Sequence, residues 1–272
     1  MFHNRPGPAG LTYSLCQYPG ARVTYRGPPA NLQRPYMAFI GASETFGPFV
    51  EAPFPTLIAE AYGVEVLNLG VRNAGPDVHL QSRAMLQLAT AAVATVVQVP
   101  LIPNLSNRFY RVHPRRNDRF LCITEELRAL APYVDLCDVN FIGHFWAELL
   151  RQAPDVVSLV RQEVEEVWLD RMRLMLQHIK PPVYLLVIEA DATNPAAKWP
   201  VSPSMLDALR PFVRQIVHVR PSQQALREGR STLMFRDAEF SKASGALNAT
   251  AHKDVAHGVM AAMDNAMKKA RA

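Results

Sequence analysis

Cysteine is scarce in this chain: Cys16, Cys122 and Cys137 are the three present. An odd number at such wide spacings fits neither a disulfide framework nor a zinc site, and points to a reducing compartment. The opening MFHNRPGPAGLTYSL lacks an apolar core ahead of a small-residue cleavage site, so no secretory leader is expected. Long apolar runs are missing too, because Arg, Gln or Glu interrupts each candidate, which argues against a membrane span. A soluble, cytoplasmic protein is the expectation. No glycine-rich phosphate loop or Gly-x-Gly-x-x-Gly follows any strand-like run, and no ligand cluster has metal spacing, so no nucleotide cofactor and no metal are expected. Charge is also limited. Charged residues make up 19% of the chain and the net charge is +5, which gives a mild attraction to anions and little reason to expect nucleic acid.

What is present is core material. Hydrophobic residues make up 49% of the 272 positions, enough for a sizeable interior. Residues 1–35 are broken by Pro and Gly, as in YRGPPANLQRP, and read as an irregular arm packed on the remainder, 36–272, which no repeat or linker divides. Within that remainder, short apolar runs alternate with helical patterns. Strands are expected at Tyr36–Gly41, Glu65–Leu69, Thr95–Val99, Val183–Ile188 and Ile216–Val219. Their continuous Val, Ile and Leu content suits strands covered on both faces. Helices are expected from Pro55 to Tyr62, from about His79 to Ala94, from Asp155 to about Ile179, and from about Asp254 to Lys269. In the third of these, Val156, Val160, Val164, Val167, Trp168 and Met172 form an apolar stripe, read as core. The fold class is therefore α/β: a three-layer sandwich around a mainly parallel five-stranded sheet.

Chemistry in such a sheet gathers outside the carboxyl ends of the strands. GASETFG places Ser43 directly after the first strand, where it can face the crevice as a nucleophile or simply cap a helix. NLGVRNAGPD follows the second strand and can aim backbone N–H groups at the same crevice, or make an ordinary turn. PLIPNLSN follows the third and supplies the side-chain amides of Asn104 and Asn107.

These segments together resemble the SGNH, or GDSL-like, hydrolase superfamily of esterases, lipases and carbohydrate acyl esterases. GASETFG is similar to that family's first block with Ala42 in place of the acidic residue, and NLGVRNAG to its second with Asn73 in place of a glycine. The resemblance implies that Ser43 is the nucleophile and that Ser43, Asn73 and Asn104 form the oxyanion hole, Asn107 being the alternative to Asn104. The family's last block, DxxH, has two placements here. Asp254-Val255-Ala256-His257 matches literally but sets His257 inside the final helix. His252, just ahead of the expected helix, is the preferred general base, with Ala249 where the family's acid would stand and Asp191 a candidate to orient the ring. The implied chemistry is a Ser–His dyad that acts on a small acyl or O-acetyl ester by hydrolysis or transfer. The whole chain also resembles a group of bacterial proteins that share the GAS-x-TxG and NRFYxVHPRRNDRF stretches, and that resemblance implies no activity.

The most unusual stretch is NRFYRVHPRRNDRF, residues 107–120. Its arginines, Arg108, Arg111, Arg115 and Arg116 among them, could line the crevice and hold an anionic carbohydrate, or form a solvated, salt-bridged loop. A catalytically inactive module that binds an anionic glycan or polymer through these arginines is the rival expectation. His144, Phe145 and Trp146 read as packing residues. Nothing in the sequence speaks to oligomeric state.

Overall fold

The computed structural model describes residues 10–12, 14–180, 182–189 and 199–271, without the side chains of 265–271. Its centre is a sheet of five parallel strands: β3 (Tyr36–Gly41), β4 (Glu65–Gly70), β5 (Ala94–Gln98), β8 (Val183–Ile188) and β9 (Gln215–Val219). The spatial order is β4-β3-β5-β8-β9. Counted along the chain that is second, first, third, fourth, fifth, the flavodoxin-like order. All five strands fall within a residue or so of the apolar runs in the sequence.

Side chains alternate across each strand, and both faces are apolar. Ala38, Ile40, Leu67, Leu69, Val97 and Leu185 point to one side and pack with Val160, Val164, Trp168 and Met172 of the long helix α7 (Pro154–His178). Met37, Phe39, Val96, Leu186 and Val217 point to the other, against Phe54 and Ile58 of α2 (Phe54–Tyr62) and Val255, Val259 and Met263 of α11 (Ala249–Arg271). Two helix layers on one sheet give the expected sandwich. Trp168 is fully buried, and its indole N–H donates to the Pro100 carbonyl at 3.2 Å, tying α7 to the exit of β5.

Four features differ from the sequence reading. The expected helix from His79 to Ala94 is two helices, α3 (Pro76–Leu80) and α4 (Arg83–Ala91), because Ser82 leaves helical geometry to accept the Met85 N–H and cap α4. The last helix starts at Ala249 rather than about Asp254, because Asn248 accepts the Ala251 N–H at 2.8 Å as its cap. The arm carries a two-stranded ribbon, β1 (Leu15–Cys16) with β2 (Tyr25–Arg26). Buried Arg26 fastens it to the domain by donating to the carbonyls of Gly47, Val50 and Glu51. Lastly, the arginine-rich stretch is a hairpin of β6 (Tyr110–His113) and β7 (Arg116–Ile123). Among the described residues, no helix is long and apolar enough to cross a membrane.

Candidate functional site

In this strand order the first and third strands flank the point where connections diverge to opposite faces, and a crevice opens beyond their carboxyl ends. Ser43 stands there. Gly41 ends β3, and a Cβ on it would overlap the side chains of Thr45 and Gln98, so the turn needs glycine. Gln98 ends β5, and its Oε1 accepts from the Ala42 N–H at 2.7 Å and the Thr45 hydroxyl at 3.2 Å, locking the two strand ends together. Ser43 then opens the single turn α1 (Ser43–Phe46).

Asn73 comes to meet it from the loop after β4. Its backbone N–H donates to Ser43 Oγ at 3.0 Å, and the Ser43 hydroxyl donates to Asn73 Oδ1 at 3.0 Å. The amide orientation follows from its far side. Nδ2 donates to Asp118 Oδ2 at 3.2 Å, and a carboxylate there only accepts. Asn73 adopts φ +54, in the left-handed region that Asn tolerates better than most side chains. Asn104 is buried and donates from Nδ2 to the Asn73 carbonyl at 2.8 Å, which holds this loop and leaves one amide hydrogen over. Gly75 lies so close to the Asn104 carbonyl that any Cβ would overlap it. Asn107 is elsewhere: its Oδ1 accepts from the N–H groups of Phe109 and Tyr110 and shapes the base of the hairpin.

Among the described residues, neither late histidine is hydrogen-bonded to this hydroxyl, whose partners both belong to Asn73. His252, expected on a loop ahead of the last helix, lies inside α11 and is fully buried. Its Nδ1 accepts the Phe54 N–H at 3.1 Å, and its ring stacks on Phe54. Burial, and after it the Arg26 charge, bring its pKa down to about 3, so the ring is neutral. A neutral ring that accepts at Nδ1 carries its proton on Nε2, and that N–H has no partner among the described residues. In this arrangement His252 has no free lone pair to offer Ser43. Asp254, in the literal DxxH match, accepts the Ser222 N–H at the start of α9 (Gln223–Glu228), and His257 is exposed on α11. Asp191 lies outside the described residues.

Among the described residues, none of the four arginines expected to line Ser43's crevice is hydrogen-bonded or ion-paired to Ser43, Asn73 or Asp118. Arg108 pairs with Glu163 at 3.5 Å and covers the Phe109 ring, and Arg111 donates to the Asn107 carbonyl. Arg115 and Arg116 are exposed at the hairpin turn. What the hairpin brings to Ser43 is Asp118. The same strand supplies buried Asn117, whose Oδ1 accepts the Gly75 N–H at 3.0 Å. Phe145 and Trp146 pack with Phe120 and Tyr110, as read from the sequence.

Sequence reasoning also passed over three buried groups around the site. His79 donates from Nε2 to the Gly41 carbonyl at 3.0 Å, and burial lowers its pKa to about 4. Asp77 is buried against Arg171 at 3.0 Å and accepts the Ser106 N–H, though burial still leaves its carboxyl above the usual range. Burial likewise raises Glu44, whose Oε2 has no partner among the described residues, even with the Gln98 amide beside it. No sequence signal marks their burial before the fold is known. Among the described residues, no group of three or more His, Cys, Asp or Glu is placed to hold a metal.

Strand order and the position of Ser43 define a doubly wound α/β protein with a hydroxyl at its switch point. A family model described as a domain of unknown function, DUF6473, matches residues 1–267, and the chain belongs to that family. No curated protein matches it. Among solved structures it is similar to a catalytic mutant of the acetylxylan esterase Axe2 from Geobacillus stearothermophilus, at 10% identity and TM-score 0.43 over 84% of this chain and 93% of that one. It is also similar to the acetyl xylan esterase Est2A from Butyrivibrio proteoclasticus, at 8% identity and TM-score 0.42 over 89% and 66%. The lipase Lip_vut3 from a goat rumen metagenome is similar at 11% identity and TM-score 0.43 over 84% and 97%.

Proposed function

We propose that Ser43 is the nucleophile of an SGNH-type ester hydrolase or acyltransferase that acts on a small acyl ester. The observation that carries this reading is the Asn73 N–H, 3.0 Å from Ser43 Oγ at the switch point of the sheet. Attack of Oγ on an ester carbonyl moves negative charge onto the carbonyl oxygen. The Ser43 and Asn73 N–H groups and the spare Asn104 amide hydrogen are the donors for it. One such donor is typically worth about 10²–10³ in kcat. In this reading the proton of Ser43 goes to Asp118, once the Asn73 side chain turns from between them, and Asp118 returns it to the alcohol oxygen as the ester C–O bond breaks and the acyl group stays on Ser43. His252, with its hydrogen on Nε2, is not the acceptor. Asp118 also disfavours a negative group beside the ester, so the anionic carbohydrate suggested by the hairpin arginines has no support at Ser43.

The test is turnover of p-nitrophenyl acetate. Ser43→Ala should abolish it, and Asp118→Asn should lower it by about 10²–10⁴, the usual contribution of a general base. Full turnover in Ser43→Ala would overturn the reading. A second reading, a non-catalytic binding module, is favoured by the resting hydroxyl itself, whose proton is held by an amide rather than an imidazole.

A further inference from the structure

A cleft of about 490 Å³ opens between the N-terminal ribbon, the junction of α3 and α4, and the turn of the β6–β7 hairpin. Ser43, Asn73 and Asp118 do not line it. Two guanidinium groups do: Arg22, from the turn between β1 and β2, and Arg115, from the hairpin turn. No carboxylate lines the cleft, and neither arginine has an ion pair among the described residues. The acid nearest in sequence to the cleft wall, Asp77, is buried and committed to Arg171. The floor is apolar, from Val23 and Val78, with the Gln17 and Gln81 amides beside it.

The walls are held by bonds of their own. The Gln17 amide donates to the Ala21 carbonyl at 2.7 Å and closes the turn that carries Arg22. The Arg115 N–H donates to His113 Nδ1 at 3.2 Å, and Asn117 donates to the His113 carbonyl, closing the turn that carries Arg115. A volume in the range of small-molecule sites, an apolar floor and two unpaired forked cations are the features that recognise an amphipathic anion.

We propose that this cleft binds a small organic anion, its carboxylate or phosphate head between Arg22 and Arg115 and its apolar body against Val23 and Val78. The proposal is independent of the chemistry at Ser43.

Isothermal titration of the full chain with hexanoate, hexyl phosphate, hexanol and hexylamine tests it. At least one anion should bind saturably, the alcohol and the amine should not, and the tighter of the two heads identifies the natural group. Arg22→Ala and Arg115→Ala, both at exposed positions, should each weaken binding about tenfold, as expected for loss of one charge-assisted bond. Ser43→Ala should leave binding unchanged. The proposal is overturned by no saturable binding of either anion up to about 10 mM, by hexanol binding as well as the anions, or by anion binding that neither arginine substitution weakens.

Discussion

The Asn73 backbone N–H and the Ser43 hydroxyl oxygen stand 3.0 Å apart, and the same serine returns its proton to the Asn73 side chain. One residue thus supplies both an amide N–H that faces the hydroxyl oxygen and a side-chain oxygen that holds the hydroxyl proton. The left-handed backbone that permits this, φ +54, is favourable for Gly, tolerable for Asn and strained for Ala. Asn73→Gly should keep the wild-type melting temperature within a few degrees and free the Ser43 hydroxyl. Asn73→Ala should be about 1 kcal/mol less stable than Asn73→Gly, read by thermal or urea unfolding. Equal stabilities would contradict the backbone argument.

Gly75 and Gly63 separate crowding from conformation. A Cβ on Gly75 meets the Asn104 carbonyl, whereas one on Gly63 meets open space at φ +63. Gly63→Ala should cost about 1 kcal/mol from backbone strain alone. Gly75→Ala should cost more, up to about 3 kcal/mol from overpacking, and should displace Asn104 from the Asn73 carbonyl. Urea unfolding of the two variants makes the comparison.

Much of the scaffold could be read before folding because its strands are buried on both faces and so stand out as unbroken apolar runs. Helix α7 was as clear, bracketed by Pro154 and Pro181-Pro182. The hairpin was hidden because Arg111 and Arg116 share its exposed positions with Leu121 and Cys122, so that the alternation of buried Tyr110 and Val112 with exposed Arg111 is not continued along β7. Asp118 was missed for the same reason, since only the register of β7 against β6 aims it at Asn73. The position of His252 turned on a helix boundary. Asn248 is a strong capping residue, and taking it as the cap puts the histidine in the first turns of α11, facing Phe54.

Acid should destabilise the fold through His252. Its pKa is about 3 when folded and near 6.5 when unfolded, so the unfolded chain takes up the proton first as pH falls. The stability is intact above pH 6.5 and is lost progressively from there down toward pH 3, at up to about 1.4 kcal/mol per pH unit for this site. His252→Phe removes that slope. The stability difference between wild type and variant should therefore shift in the variant's favour between pH 7 and pH 5 in urea titrations. A constant difference would contradict the burial argument.

Asp77 and Arg171 should behave in the opposite direction. Arg171→Ala leaves a buried carboxylate unpaired and should cost about 3 kcal/mol at pH 7, the low end for broken buried pairs because Arg171 is partly exposed. Burial raises the Asp77 pKa, and losing Arg171 raises it further. The variant's deficit should then shrink as pH falls and Asp77 becomes neutral. Adding Asp77→Asn should recover part of the loss at pH 7. A deficit that persists unchanged at low pH would point to lost packing instead.

Mass spectrometry after fluorophosphonate treatment tests the nucleophile most directly. We expect one adduct, on the peptide that contains Ser43, absent from Ser43→Ala and slowed in Asp118→Asn. An unmodified Ser43 peptide in the folded wild-type chain would contradict the account and leave the binding-module reading in its place.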